Sequence, residues 1–186
     1  MPGGFHAIID GWFEIITSGS FHHNKYPTGL RSINLYHGDI CTSSDELLVI
    51  SSNAGKYDFP SGAIINSLYL KFDVEFTDLN PILTIDQAGS IGTFRGEINP
   101  SSTHPSKEIF LVKMPSSISV AEHGDDPVEF YGRAIWTLFG SLAAYEQKNC
   151  FFDSMSLPIL AGSRGYPEKE IMEILLSRSA NWVKTS

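Results

Sequence analysis

The chain has little cysteine, little positive charge and no long apolar run, and each shortage excludes a class of protein. Cys41 and Cys150 lie far apart outside any paired-cysteine motif, which favours buried thiols over a zinc site. Thirteen Lys and Arg against 21 Asp and Glu give a net charge of −8, so nonspecific nucleic-acid binding is not expected. No stretch approaches the roughly 18 consecutive apolar residues of a membrane helix. We therefore expect a cytoplasmic protein that does not bind membranes.

The chain does have enough apolar residues for one core. It has 186 residues, of which 42% are hydrophobic. This is enough to bury one sizeable core but not enough for two ordinary domains. The apolar pattern alternates between strand-like runs and helical spacing, which predicts an α/β fold with a mixed, largely parallel central sheet. The expected strands cover 12–17, 31–36, 47–51, 82–85, 91–95, 108–114 and 151–160, and the expected helices cover 61–72, 127–149 and 167–183.

Two of these helices have a clear start and a clear apolar face. Asp125-Asp126-Pro127 is a typical helix start, with an acidic cap before a proline at the first helical position. Apolar residues then recur at intervals of three and four, as expected of one buried face. The residues predicted to face the interior are Tyr131, Ala134, Ile135, Leu138, Phe139 and Leu142 in this helix, and Ile171, Ile174 and Leu175 in the last one.

The most informative segment for function is Leu157–Glu168. It predicts a buried strand, then a Gly-Ser-Arg-Gly loop, then a helix beginning near Pro167. A flexible loop before a helix offers unpaired backbone N–H groups and the positive end of the helix dipole, both of which suit a phosphate or diphosphate. Glycines at such a place also serve simple turning, so both interpretations stay open on this segment alone.

A second set of motifs gives the first one more weight. Tyr36-His37-Gly38-Asp39-Ile40-Cys41-Thr42 is followed by Leu47-Leu48-Val49-Ile50-Ser51-Ser52-Asn53-Ala54-Gly55 and then by Ser61-Gly62-Ala63-Ile64. With the Pro-Ile-Leu-Ala-Gly-Ser-Arg-Gly-Tyr-Pro run, these four ordered segments resemble the macro domain family. The resemblance covers about residues 31–182. It implies a three-layer α/β/α fold over 31–186, with 1–30 as an N-terminal extension that carries an extra strand.

The resemblance also assigns roles to single residues. Asp39 matches the aspartate that accepts a hydrogen bond from the adenine amino group, and the backbone N–H of Ile40 would meet a ring nitrogen. A carboxylate suits this role because it only accepts when ionised. Asn53 matches the asparagine that contacts the distal ribose. The alternatives are that Asp39 caps the turn after its strand and that Asn53 occupies a left-handed turn.

Two loops complete the implied ligand site. The first loop would contact the distal ribose and the diphosphate, and the N–H groups of the second would hold the diphosphate. Arg164 could pair bidentately with a phosphate, or it could be an exposed arginine at a loop tip. The residues that match are Ala54, Gly55, Ser61, Gly62 and Ala63 in the first loop, and Gly162, Ser163, Arg164, Gly165 and Tyr166 in the second.

Departures from the family pattern argue against catalysis. The chain has Lys56-Tyr57-Asp58-Phe59-Pro60 where hydrolytic members have glycines, and Ser61 stands at the place of their aspartate. A loop with a fixed proline and bulky residues cannot approach the ribose as closely. Macro domains usually close with a strand after the last helix, and here either that strand belongs to a longer parent protein or the strand expected at 12–17 takes its place. Trp182 is a candidate for stacking on adenine, although a core tryptophan is the simpler interpretation.

Three functions remain. The chain is expected to be a binding module for ADP-ribose or a related NAD-derived nucleotide, and it could be the sensor of a larger signalling or antiviral protein with a fused effector domain. The alternatives are an ADP-ribosyl hydrolase with a rearranged first loop and a macro-shaped interaction scaffold without ligand. We expect no catalytic residue, no metal and no further cofactor.

Overall fold

A computed structural model describes residues 9–10, 13–22, 30–52, 63–75, 80–83, 92–147, 152–160 and 164–185. The strands in these ranges are β1 Ile9–Asp10, β2 Phe13–His22, β3 Leu30–His37, β4 Leu47–Ser52, β5 Asn80–Leu83, β6 Thr93–Glu97, β7 Glu108–Lys113 and β8 Met155–Ser156. The helices are α1 Ala63–Phe72, α2 Ser117–Glu122, α3 Pro127–Glu146 and α4 Glu168–Thr185, with a short 3-10 helix at Ile40–Thr42.

The central element is a five-stranded mixed sheet in the order β5-β6-β7-β4-β8. β4 pairs in parallel with β7 and with β8, whereas β6 is antiparallel to both of its neighbours. Four of the five strands therefore run in one direction. The predicted mixed α/β class is confirmed.

Helices cover both faces of this sheet. Leu47, Val49, Phe110 and Val112 point to one face and pack with residues of α3 and α4. Leu48, Ile50, Ile109 and Leu111 point to the other face and pack with Ile65 and Leu68 of α1. Because successive side chains of a strand point to opposite faces, a strand buried on both must be apolar at every position. This explains the continuous apolar runs of β4 and β7.

The predicted faces of α3 and α4 are confirmed. Asp126 caps α3 by accepting from the backbone N–H of Glu129 at 2.8 Å, and Pro127 occupies the first turn. All six residues predicted to be the apolar face of α3 are buried. In α4, Ile171 and Leu175 are buried, and Ile174 packs partly buried against the same core.

The end of α1 has a specific backbone signal. Asp73 adopts a left-handed conformation with φ of 54°, and its N–H donates to Tyr69 O at 2.9 Å. A left-handed residue directly after a helix, whose N–H bonds the carbonyl four residues earlier, is the αL motif that ends a helix. The helix therefore ends at Phe72 as predicted.

Several details of the prediction differ from the structure. The expected strand 151–160 is paired over only two residues, and α2 was not expected. The expected strand 12–17 continues to His22, where it pairs with β3 in a separate three-stranded sheet with β1. Side chains hold the short β8 in place, since Ser43, Asp45 and Ser156 are mutually hydrogen-bonded and Ser154 Oγ accepts from the Glu46 N–H.

Cys41 is buried and is not part of a disulfide, as predicted, and Cys150 lies outside the described residues. Among the helices that the structure describes, none combines the length and the apolar character needed to cross a membrane.

Candidate functional site

The carboxyl ends of β4, β7 and β8 lie at one edge of the sheet, because the three strands are parallel. Ligands of open α/β sheets commonly bind outside this edge. Here the segment after β7 contacts the segment after β8. Ser117 Oγ donates to Arg164 O at 3.1 Å, and the Tyr166 hydroxyl donates to Pro115 O at 3.1 Å. The second predicted loop is therefore fastened at this edge.

Gly165 is required by the fold itself. Its φ is +81°, and a Cβ built on it would lie 2.7 Å from Ser117 Oγ. L-residues rarely adopt this backbone conformation, and that contact is too short for any side chain. The glycine thus has a structural explanation that holds with or without a ligand.

Arg164 is a charged residue at this edge, as is Lys113 at the end of β7. It is half-buried, and burial lowers the pKa of its guanidinium. None of the ion pairs within the described ranges includes it, whereas Arg95 and Arg133 both pair with carboxylates. A guanidinium that has lost part of its hydration without gaining an anion is unfavourable alone. Such a group is suited to bind an anion from solution.

Tyr166 lies beneath the loop rather than in it. Its side chain is buried, its ring packs 5.9 Å from the ring of Tyr131, and desolvation raises its pKa to about 12. The hydroxyl is already bonded to Pro115 O. Of this residue, only the backbone could take part in the predicted ligand contacts.

Asp39 acts as a cap in this structure. Its Oδ1 accepts from the Cys41 N–H at 3.0 Å at the start of the 3-10 helix, and its Oδ2 accepts from Lys71 Nζ at 2.8 Å. The hydrogen bond from Lys71 is the main reason why the pKa of Asp39 lies below its usual value. The side chain is 42% exposed, so its remaining lone pairs face solvent.

The 3-10 helix lies along α1. Cys41 Sγ is 3.8 Å from Ile64 O in the first turn of α1, and Asp39 meets Lys71 in the last turn. Because α1 connects two strands of the same direction, its last turn lies toward the amino edge of the sheet. Within the described ranges, no hydrogen bond or ion pair joins Asp39 to Arg164, Gly165 or Tyr166.

A buried histidine, His104, is hydrogen-bonded to the backbone of the 3-10 helix. His104 Nδ1 accepts from the Ser106 N–H at 3.1 Å, which leaves Nε2 as the donor to Cys41 O at 3.0 Å. Its ring also packs edge-on against Phe72 at 5.0 Å. Burial lowers the pKa of His104, and the bond to Cys41 O partly opposes that shift. The ring is therefore a neutral structural link.

The remaining predicted site residues divide into two groups. Ile40 begins the 3-10 helix and packs partly buried against the core beneath α1, and Ala63 begins α1. The others lie outside the described residues, namely Asn53, Ala54, Gly55, Ser61, Gly62, Gly162 and Ser163.

Trp182 stacks with the rings of Phe139 and Phe152 at 5.5 and 6.3 Å, as expected of a core tryptophan.

Lys71 and Ser117 were not predicted as part of the site. The Met114-Pro115-Ser116-Ser117 run could have predicted a helix cap, but nothing in the sequence indicates that Ser117 meets Arg164.

Comparison with known proteins adds no assignment. Neither the protein-family models nor the curated protein sequences compared with the chain match it. Across the part of the chain that the structure describes, no group of three His, Cys, Asp or Glu side chains is placed to hold a metal ion.

Proposed function

We propose that the chain is a binding module for ADP-ribose or a related NAD-derived nucleotide, in a macro-domain-like three-layer α/β/α fold. The observation that carries the proposal is Arg164. A half-buried guanidinium stands at the carboxyl edge of the sheet, and no carboxylate of the described residues neutralises it. A diphosphate supplies the charge that this group lacks.

The chemistry of the second loop supports a phosphate over other anions. A guanidinium can donate two parallel hydrogen bonds to one phosphate, and such charged bonds are about twice as strong as neutral ones. Ser117 Oγ and Tyr166 fix the backbone on either side of Gly165, so the guanidinium is carried by a fastened loop. A fixed loop loses less conformational freedom when a ligand binds.

Asp39 is the proposed reader of an exocyclic amine, although its own contacts lie toward the amino edge of the sheet and Arg164 lies at the carboxyl edge. Each carboxylate oxygen of Asp39 has more than one lone pair. Among the described residues, each oxygen accepts one hydrogen bond, Oδ1 from the Cys41 N–H and Oδ2 from Lys71 Nζ. An adenine amino group could add to Oδ2 from the solvent side. In this proposal the fold explains why Asp39 is ionised and held in place, and the ligand uses the acceptor capacity that remains.

The proposed module binds without turnover. Ser61 at the place of the usual aspartate is a poor base without a partner, and Asp58 is separated from it by Phe59-Pro60. Incubation with mono-ADP-ribosylated protein and with cyclic ADP-ribose isomers, followed by mass spectrometry, should give no product. Product that disappears in Asp58→Ala or Asn53→Ala would favour the hydrolase instead.

A ligand series tests the binding proposal. Thermal unfolding is measured with ADP-ribose, cyclic ADP-ribose isomers, NAD, ATP, AMP and adenosine. A ligand present at a hundred times its dissociation constant should stabilise the chain by about 2.7 kcal/mol. ADP-ribose should stabilise far more than adenosine, because adenosine lacks the diphosphate. Equal shifts, or no shift with any nucleotide, would contradict the proposal.

Two variants of Asp39 separate its roles. Asp39→Ala removes both the cap and the ligand acceptor, and it should weaken ADP-ribose binding by roughly 1 to 3 kcal/mol. Asp39→Asn keeps an oxygen for the Cys41 N–H but loses the charge. Calorimetry should show weaker binding for both variants. Wild-type affinity in Asp39→Asn would leave the residue as a cap only.

A further inference from the structure

The outer surface of α3 and α4 exposes a large aromatic side chain. Trp136 of α3 is 61% exposed, so the chain itself leaves most of its indole ring in solvent. Arg178 of α4 lies over this ring at 5.1 Å, and farther along the two helices Phe139 stacks on Trp182. The helices therefore lie side by side and run in the same direction, with Trp136 level with the middle of α4.

Glycines lie one turn before and one turn after Trp136. Gly132 and Gly140 are four residues away on either side, which places them on the same face of α3. Glycine inside a helix is unfavourable, and packing within the chain does not require Gly132, because a Cβ built there would meet nothing within 4 Å. Gly140 is exposed. Two positions without side chains beside an exposed tryptophan let a second helix approach closely.

One side of α4 carries an exposed stripe whose spacing is symmetrical about its central residue. The intervals are three, four, four and three positions, and at 3.6 residues per turn the stripe covers an arc of about 80°. Its residues are Glu170, Glu173, Ser177, Asn181 and Lys184. The acidic side chains lie in the first half of the stripe, and the cation lies at its other end.

This stripe is complementary to itself in charge. When two copies of α4 pack antiparallel with their Ser177 residues opposite each other, Glu170 faces Lys184 of the second copy. In the same arrangement Glu173 faces Asn181, whose amide can donate to a carboxylate. Asn181 and Lys184 also have contacts within their own chain, but an ammonium has three N–H groups and an amide has two. A two-fold axis forms each of these pairs twice.

The face is large enough for a weak dimer. α3 has 20 residues and α4 has 18, so at 1.5 Å per residue each helix is about 27 to 30 Å long. Two adjacent helices, together roughly 20 Å wide, offer about 500 to 600 Å² per copy. The total of about 1,100 Å² lies at the lower end of specific interfaces.

We propose that two copies of the chain associate through this face, about a two-fold axis that passes near Ser177 and Trp136. The axis brings the two Trp136 rings together, because Trp136 lies level with the middle of α4. Tryptophan at the centre of an interface commonly carries much of the binding energy. The inference does not depend on the proposed nucleotide site, which lies at the carboxyl edge of the sheet.

Sedimentation equilibrium tests the role of Trp136. The wild type should show a monomer–dimer equilibrium between micromolar and near-millimolar concentrations, and Trp136→Ala should weaken it by at least about tenfold. Leu70→Ala is the matched control, since Leu70 is 71% exposed on α1, which packs on the opposite face of the sheet. It should associate as the wild type does. A wild type that stays monomeric, or equal association of Trp136→Ala and the wild type, would overturn the inference.

Charge reversal tests the antiparallel arrangement. Glu170→Lys places like charges opposite each other at both pairs of the dimer, and so does Lys184→Glu. At low salt each variant alone should associate at least about tenfold more weakly than the wild type.

Mixing the two variants in equal amounts should restore association. In the mixed dimer, opposite charges face each other again at both pairs. Mixing cannot repair a defect of folding, so recovery to the wild-type affinity identifies an effect on the interface. Wild-type association of either variant alone, or a mixture that associates no more tightly than its components, would contradict the proposed arrangement.

Discussion

The two regions proposed to hold the nucleotide differ in how far the fold itself explains their residues. At the 3-10 helix, each oxygen of Asp39 has a protein donor, so its position and charge follow from the fold. At the second loop, Gly165 and Tyr166 are explained by backbone conformation and core packing, whereas no described contact explains the guanidinium of Arg164. A charged group that the fold leaves unpartnered is a better indication of function than a matched motif residue.

Substitution of Gly165 should have the largest effect and tests whether the second loop is fixed by the fold. Gly165→Val combines a left-handed φ with a contact to Ser117 Oγ, and it should destabilise the chain by about 3 kcal/mol in chemical denaturation. Gly132→Ala is the control, because its Cβ meets nothing within 4 Å in the middle of α3. It should stabilise by roughly 0.5 to 1 kcal/mol. Similar results for the two variants would contradict this account.

The hydroxyls of two neighbouring tyrosines should differ in their contribution to stability. Tyr166→Phe loses the bond to Pro115 O and should cost about 1 kcal/mol. The buried hydroxyl of Tyr131 has no hydrogen-bond partner among the described residues, so Tyr131→Phe should leave the melting temperature unchanged or raise it. A loss in Tyr131→Phe as large as that in Tyr166→Phe would show that both hydroxyls are paired.

His104 should make the 3-10 helix region sensitive to acid. Its pKa in the folded chain is lowered, mainly by burial, so the unfolded chain takes up the proton first as the pH falls. The stability that His104 contributes is present above the unfolded pKa of about 6.5 and is lost as the pH drops through the folded value.

The matched variant is His104→Gln, whose amide can donate to Cys41 O and accept from the Ser106 N–H without titrating. Denaturation between pH 7 and pH 5 should show a smaller decrease in stability for this variant than for the wild type. An equal decrease would place the titrating group elsewhere.

Strong local signals made part of this fold predictable from the sequence. Asp126-Pro127 and the apolar spacing after it determine α3, and the apolar runs of β4 and β7 follow from burial on both faces. The pairing of β8 could not be predicted, because it depends on side-chain bonds of Ser154 and Ser156 to residues more than a hundred positions away.

The candidate site was predictable to a similar, partial degree. Asp39 and the second loop were found by motif, but the Lys71 contact and the meeting of Ser117 with Arg164 depend on tertiary packing. Sequence spacing does not reveal whether a guanidinium has an anion beside it. That no carboxylate of the described residues pairs with Arg164 is a property of the tertiary structure.

The most direct test of the central claim is calorimetric titration of ADP-ribose into Arg164→Ala, with Arg178→Ala as the control. Arg178 is also an arginine, but it lies over the ring of Trp136 at 5.1 Å, away from the second loop. If Arg164 binds the diphosphate, Arg164→Ala should lose at least about tenfold in affinity, and the loss should shrink at high salt. Arg178→Ala should bind as the wild type does. Equal affinity in the two variants would contradict the claim that Arg164 holds the ligand.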